Sequence, residues 1–328
     1  MGGLRGGIDL GGTKIQAVVV DEAGSVLSSV RRPTPKDLGP EGVAEAMADV
    51  LRDAAHDAGA ETSGLVGVGV GSPGAVDEAS GVVARATNVL PEWVGPYALA
   101  EELSRRLGAP TTIGNDVQVA TDAEFQLGAG RHYRSLLGVF WGTGVGGGLV
   151  LDGRGWVGRG AAGEIGHMVY RRRGAHCPCG RRGCMEAYAG RGAMEAHARA
   201  MADRGVSTKL FKIMEQRGRT RLSSAVWATA LAERDRLATR LVDRAVKAIA
   251  TTVASAVNLL DVEAVVIGGG MGVRLGAPYV ERIEQAMQPH LFVSDRPPAV
   301  HLAALGYTGG AIGAALLVGA SPAGAQVA

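Results

Sequence analysis

Two stretches of the chain share one form. "GIDLGGTKIQAVVVD" at 7–21 and "GVFWGTGVGGGLVLD" at 138–152 each run as apolar strand, glycine turn with a threonine, apolar strand and aspartate. A repeat at this separation points to duplicated domains rather than to a solenoid of short units. Two similar α/β halves facing each other would bring both glycine turns to one cleft. Two unrelated β-hairpins would give the same local pattern, because glycine turns are common in hairpins.

The 328 residues suit one large domain or two of ordinary size. Helical spacing over 40–58 puts Val43, Met47, Val50, Leu51 and Ala54 on one face. "LVGVGVGSPGAVD" reads as a buried strand entering a Gly-Pro-Gly loop. Helices are expected near 96–107 and 117–127, on either side of the short strand "TTIGND". Residues 235–260 read as a long amphipathic helix. After it come the strand "AVVIGGG", a helix near 278–287, the strand "AVHLAAL" and a last helix. The expected division is a small N-terminal α/β domain over 1–116, completed by a C-terminal helix within 308–328, and a large α/β domain over 117–307. Hydrophobic residues are 46% of the chain and aromatics 4%, so the core must be aliphatic and alanine-rich.

A net charge of +2 argues against a nucleic-acid partner, which would select a basic patch or stripe. Arg171, Arg172 and Arg173 read as a solvated loop. The uncharged stretch Leu302 to Ala320 matches a membrane span in length, but its five glycines favour strand, turn and buried helix. The start "MGGLRGGIDL" lacks the apolar stretch of a secretory leader, so a cytoplasmic location is expected.

Glycine turns beside a hydroxyl suit phosphate. The backbone can approach closely and aim its amides at oxygens. Gly11, Gly12, Thr13 and Lys14 form one candidate. A second comprises Gly142, Thr143, Gly144, Gly146, Gly147 and Gly148. A third, Gly268, Gly269 and Gly270, follows an apolar strand and could border a base or ribose. None fits the P-loop or dinucleotide fingerprints. Asn115 and Asp116 end the strand "TTIG", where α/β proteins bind ligands. Asp116 reads either as a helix cap or as a general base facing the cleft.

All three cysteines fall in eight positions, Cys177, Cys179 and Cys184, with His167 ten residues upstream. Clustered thiols in a reducing compartment point to a metal before a disulfide. Three thiolates and an imidazole make a closed tetrahedral Zn²⁺ site, structural rather than catalytic. His176 is a rival ligand, though its adjacency to Cys177 would strain the geometry.

These pieces together resemble the ROK family of sugar kinases. The resemblance rests on "IDLGGTK" at 8–14, "GNDVQVA" at 114–120, "GTGVGGGLV" at 142–150, "GEIGH" at 163–167, "CPCGRRGCMEAYAG" at 177–190 and "VIGGG" at 266–270. It implies the actin-like ATPase fold, with two α/β domains around a central cleft. It further implies ATP-dependent phosphorylation of a hexose, glucose by default, with Mg²⁺ and with Asp116 as the base. Asp9 would lie near Mg²⁺ and the phosphates, which Gly11, Gly12, Thr13, Lys14, Thr143, Gly144 and Val145 would hold. Gly268 and Gly269 would border the adenosine. Gly74, Asn88, Asn115, Glu164, His167 and Glu186 would line the sugar, and a zinc-pinned loop over 163–190 would carry the last three. Mannose, fructose, N-acetylglucosamine and N-acetylmannosamine remain alternative acceptors, and polyphosphate an alternative donor. A sugar-sensing binding protein is the non-enzymatic alternative. Repressors of the family carry an N-terminal helix-turn-helix, for which a phosphate hairpin starting at residue 7 leaves no room. Relatives imply a homodimer or homotetramer.

Overall fold

The structure, a computed structural model, describes residues 3–86 and 90–319. From the N-terminus run β1 (Arg5–Leu10), β2 (Lys14–Val20), β3 (Val26–Pro33), α1 (Gly39–Asp57), β4 (Gly67–Ser72), β5 (Ala75–Asp77), β6 (Val82–Arg85), α2 (Leu99–Leu107), β7 (Thr111–Asn115) and α3 (Asp116–Gln126). There follow β8 (Leu136–Trp141), β9 (Val145–Leu151), β10 (Arg154–Gly155), α4 (Glu186–Ala189), α5 (Arg191–Ala202), α6 (Leu210–Gln216), α7 (Ser224–Ala232) and α8 (Arg236–Leu260). The chain continues through β11 (Ala264–Gly268), α9 (Gly269–Leu275), α10 (Ala277–Met287), β12 (Ala299–Leu302) and α11 (Gly309–Leu316).

The two echoing stretches become equivalent parts of two sheets. One sheet has the order β3-β2-β1-β4-β7 and the other β10-β9-β8-β11-β12. In the first, β1 and β2 are antiparallel, whereas β1, β4 and β7 are parallel. In the second, β8, β11 and β12 are parallel. Each glycine turn is closed by one backbone hydrogen bond, from Gly11 N–H to the Lys14 carbonyl and from Gly142 N–H to the Gly144 carbonyl, both 2.9 Å.

Contacts divide the chain into two compact units. One comprises Met1–His132, Gly148–Ala162 and Tyr307–Ala328; the other comprises Tyr133–Gly147 and Gly163–Gly306. This differs from a boundary at 116/117. Helix α3 packs on α11 and stays with the N-terminal unit, to which the chain also returns over 148–162. Helix α11 lies on β1 and β4 because glycine clears its path. A Cβ on Gly7 would overlap the Ala311 carbonyl, and one on Gly69 the Ala314 carbonyl.

The first unit's core is aliphatic. Val43, Met47, Val50, Leu51 and Ala54 of α1 are fully buried with Ile8, Leu10, Val68 and Val70. Burial of such side chains supplies the main stabilising term, about 25 cal/mol per Å² of apolar surface. In the second unit, α8 buries Leu241, Val242, Ala245, Ile249 and Val253 along one side. Its entry is fixed by Asp235, whose carboxylate caps the Ala238 N–H at 2.8 Å. Among the described residues no helix is long and apolar enough to cross a membrane. The run 302–319 contains the end of β12 and α11, as its glycines indicated.

Candidate active site

In the first unit, Asp9, next to last in β1, and Ser72 and Asn115, the last residues of β4 and β7, lie on neighbouring parallel strands, with Asp9 opposite Gly71 and Ser72 opposite Asn115. The carboxyl edge of such a sheet is where α/β proteins place ligands. Asn115 is the cap of α3. Its Oδ1 accepts from the N–H groups of Val117 and Gln118, each at 3.1 Å. Asp116 is therefore the first helical residue rather than the cap. Its own Oδ1 accepts from the Val117 N–H at 2.9 Å. The positive end of α3 favours a carboxylate here.

Asp9 lies against Gly310 in the first turn of α11, where a Cβ would stand 2.9 Å from its carboxyl carbon. Burial raises the Asp9 carboxyl above its ordinary range, and the Lys14 ammonium pulls it partly back. Burial likewise lowers Lys14, against the attraction of Asp9. The Lys14 ammonium donates to the Tyr307 carbonyl at 3.5 Å and lies 5.8 Å from the centre of its ring. Gly74, at φ +93°, follows β4, and a Cβ there would overlap the Arg85 carbonyl. Asn88 lies outside the described residues.

Two further carboxylates in this unit belong to no motif. Asp122 of α3 accepts from the Gln118 amide at 2.9 Å. Burial, opposed by that hydrogen bond and reinforced by Glu78, pushes its pKa up to about 7. Burial also raises Glu78, against a hydrogen bond from the Asn115 backbone. Helical periodicity gives Asp122 no signal, and Glu78 reaches the end of β7 only through the β5–β6 excursion.

In the second unit the four expected metal ligands converge. The ligand atoms of His167, Cys177, Cys179 and Cys184 all lie within 4.8 Å of one another. His167 Nδ1 is 3.7 Å from the Cys177 sulfur, and the Cys179 and Cys184 sulfurs are 3.7 Å apart. Tetrahedral zinc with bonds of about 2.3 Å to sulfur requires sulfurs about 3.8 Å apart, so the cluster fits such an ion. Burial opposes the Cys179 thiolate, yet hydrogen bonds from Arg181 and the other thiols bring its pKa down to about 6, while burial raises Cys177 and Cys184. His176 is not in the cluster; its Nε2 lies 2.5 Å from the Arg182 guanidinium. The other nitrogen of His167, Nε2, stands 3.8 Å from the Glu164 carboxylate. Gly166 lets this turn pack closely, since a Cβ there would overlap the Val145 carbonyl.

Glu186 opens α4 just beyond Cys184. Its Oε2 accepts from the Val145 N–H at 2.9 Å, and its Oε1 lies 3.7 Å from the Cys177 sulfur. Arg191, which the motifs did not single out, donates from Nη2 to Thr143 Oγ at 2.6 Å. The N–H groups of Arg191 and Gly192 bond the carbonyls of Gly142 and Thr143 at 3.1 and 3.0 Å. The turn at 142–145 is thus held by the first turn of α5 and by the cysteine loop. Beside it, β11 ends opposite Phe140 and the chain turns into α9 at Gly269, whose φ of +76° and contact with the Trp141 backbone require glycine. A Cβ on Gly142 would be 3.9 Å from the Gly270 nitrogen, so the second and third glycine turns are neighbours.

A model of the ROK family matches residues 5–321. A glucokinase of Thermotoga maritima is 32% identical over 290 residues, covering 86% of this chain and 88% of its own. An N-acetylmannosamine kinase of Haemophilus influenzae is 31% identical over 314 residues, 95% of this chain and 94% of its own. Among solved structures, a ROK family glucokinase from Streptomyces griseus in complex with glucose and AMPPNP matches with a TM-score of 0.81 at 29% identity, over 96% of this chain and 99% of that one. The fold is the actin-like ATPase fold that the sequence led one to expect.

Proposed function

The chain belongs to the ROK family, and we propose on that footing that it transfers the γ-phosphoryl group of ATP to a hexose, with the 6-hydroxyl of D-glucose as the preferred acceptor. The observation that carries this reading is the division of labour at the end of β7. Asn115 is the cap of α3, and Asp116, whose Oδ1 shares the Val117 N–H, opens the helix at the carboxyl edge of a parallel sheet.

Phosphoryl transfer depends on positioning and charge neutralisation more than on covalent chemistry. Asp116 orients the sugar hydroxyl and takes its proton as the hydroxyl oxygen bonds to the γ-phosphorus and the bond to the bridging oxygen breaks, releasing ADP. In the first unit the amides of Gly11 to Lys14 would serve phosphate, and in the second those of Thr143 to Val145 would do so, with Thr143 steadied by Arg191. Gly268 and Gly269 border the adenosine. For the sugar, the first unit would offer Gly74 and Asn115 and the second Glu164, His167 and Glu186, while Asn88 lies outside the described residues. Asp9 would hold Mg²⁺ together with the nucleotide's own phosphates, and the ion would neutralise their charge. A buried carboxyl that burial alone makes costly to ionise fits a site completed by a cation.

Zinc bound by His167, Cys177, Cys179 and Cys184 would have no open position, so its role is to fix the loop. The loop's own residues then do the work. His167 keeps Nδ1 in the cluster and turns Nε2 outward beside Glu164. A sugar hydroxyl that engages Nε2 would then fix the ring's tautomer and orientation.

The Haemophilus N-acetylmannosamine kinase is as similar as the Thermotoga glucokinase, so a 2-acetamido sugar is the second reading. The test is a panel of glucose, mannose, fructose, N-acetylglucosamine and N-acetylmannosamine, with ATP and Mg²⁺, read by coupled detection of ADP. Glucose should give the highest kcat/KM, and polyphosphate should be the poorer donor. A higher value for N-acetylmannosamine would overturn the glucose assignment. No ADP with any sugar would overturn the kinase reading in favour of a binding protein.

A further inference from the structure

The exposed side of α8 carries a row of cations. Arg236, Arg240, Arg244 and Lys247 recur at intervals of four and three and so share one face. With Arg234, Thr239 and Asp243 they line a surface pocket of about 640 Å³ in the second unit. That volume is in the range of small-molecule sites, about 300–1,000 Å³. The lining has five cations and one carboxylate, and that carboxylate, Asp243, already accepts from Arg282 at 2.6 Å. Among the described residues no carboxylate pairs with any of the five.

The helix gains nothing from this arrangement by itself. Like charges one turn apart repel, and Arg236 and Arg240 occupy the helix end whose dipole favours anions. Yet the pocket is well held. Arg234 adopts a left-handed conformation, φ 54°, beside the buried Asp235. Asp235 receives the Lys209 N–H at 2.7 Å and the Thr208 hydroxyl at 3.0 Å, besides capping α8. At the other end, the Arg244 guanidinium sits 4.4 Å above the centre of the Tyr188 ring. The field of these cations reaches His197, whose pKa is lowered by burial and then by Arg244, Arg240 and Arg204.

We propose that this pocket is a second anion site, separate from the glycine turns, for a ligand carrying two or more linked phosphate groups. The cations from Arg236 to Lys247 extend along about 16 Å of helix, more than one tetrahedral anion can span. Guanidinium forks match phosphate oxygens in pairs, and the Thr239 hydroxyl adds a donor. Inorganic tripolyphosphate and the phosphate tail of a nucleotide share the required chemistry.

The test is calorimetric titration of the full chain with tripolyphosphate, pyrophosphate and orthophosphate, and separately with ATP. The variant Arg240→Glu/Lys247→Glu changes only exposed positions. Arg240→Gln/Lys247→Gln is the milder companion, should charge reversal disturb the helix. Tripolyphosphate should bind the wild type at least tenfold more tightly than orthophosphate. Both variants should lose at least tenfold in that affinity while keeping their kinase kcat. A second equivalent of ATP that the variants lose would point to a nucleotide tail as the natural ligand. Tripolyphosphate binding without that second equivalent would point to inorganic oligophosphate. Unchanged tripolyphosphate affinity in both variants would overturn the proposal. So would equal affinity for ortho- and tripolyphosphate, which marks diffuse attraction of any anion.

Discussion

The Glu186 carboxylate receives the Val145 N–H at 2.9 Å through Oε2, while its Oε1 faces the Cys177 sulfur at 3.7 Å. One side chain thereby ties the glycine turn at 142–145 to the cysteine loop. The contact is close enough that a Cβ on Gly144 would overlap Oε2. In the proposed mechanism this holds the loop that carries sugar contacts against the turn that carries phosphate contacts.

Glu186→Ala should therefore act on both. It leaves the Val145 N–H without its acceptor, at a cost of about 1–3 kcal/mol. The KM values for ATP and for sugar should both rise, and chemical denaturation should show the loss of stability. Glu186→Gln keeps an oxygen acceptor and should fall between. A Glu186→Ala protein with wild-type stability and both KM values intact would remove this residue from the site.

Cys179→Ser should lower zinc content below one per chain and weaken catalysis, while nucleotide still binds. The loss is one of position, and a displacement of about 1 Å can cost on the order of a hundredfold in rate. Elemental analysis with steady-state kinetics is the measurement. Fully active wild type without zinc, or a variant that keeps both metal and rate, would contradict the assignment.

Asp122 makes the protein less stable as pH rises. Its folded pKa of about 7 lies above the ordinary value of 3.8, so the folded state binds more protons between the two. Stability should therefore fall as pH increases from about 4 through about 7 and then level off. Asp122→Asn keeps an oxygen for the Gln118 amide and has no charge to bury. Its melting temperature should exceed that of the wild type at pH 8 and approach it at pH 5. Parallel pH profiles of the two proteins would contradict the shift.

The sequence showed these features unevenly, for physical reasons. Strand alternation and glycine turns are local, so both hairpins and the long helix α8 were legible, as was the gathering of Cys177, Cys179, Cys184 and His167. The division of the chain was less so, because it depends on packing over distance. Helix α11 reaches β1 and β4 through Gly7 and Gly69, which as residues look like any strand glycines. Helix α3 follows α11 into the first unit, which no boundary signal near residue 116 announces. Arg191, Glu78 and Asp122 were missed for a related reason. Arg191 and Glu78 act through the tertiary neighbours Thr143 and Asn115, Asp122 is set by burial and by Gln118 one turn earlier on α3, and none belongs to a spaced motif. That Asn115 is the cap of α3 showed only in the geometry, since Asn115 and Asp116 are equally good caps by composition.

The most direct test of the mechanism is the turnover of Asp116→Asn with glucose, ATP and Mg²⁺. The substitution is nearly isosteric, and Asn115 still caps α3, so folding and sugar affinity should match the wild type. Loss of a positioned base should lower kcat by at least about a hundredfold. A folded Asp116→Asn protein that binds glucose and retains more than about a tenth of the wild-type kcat would show that Asp116 is not the base.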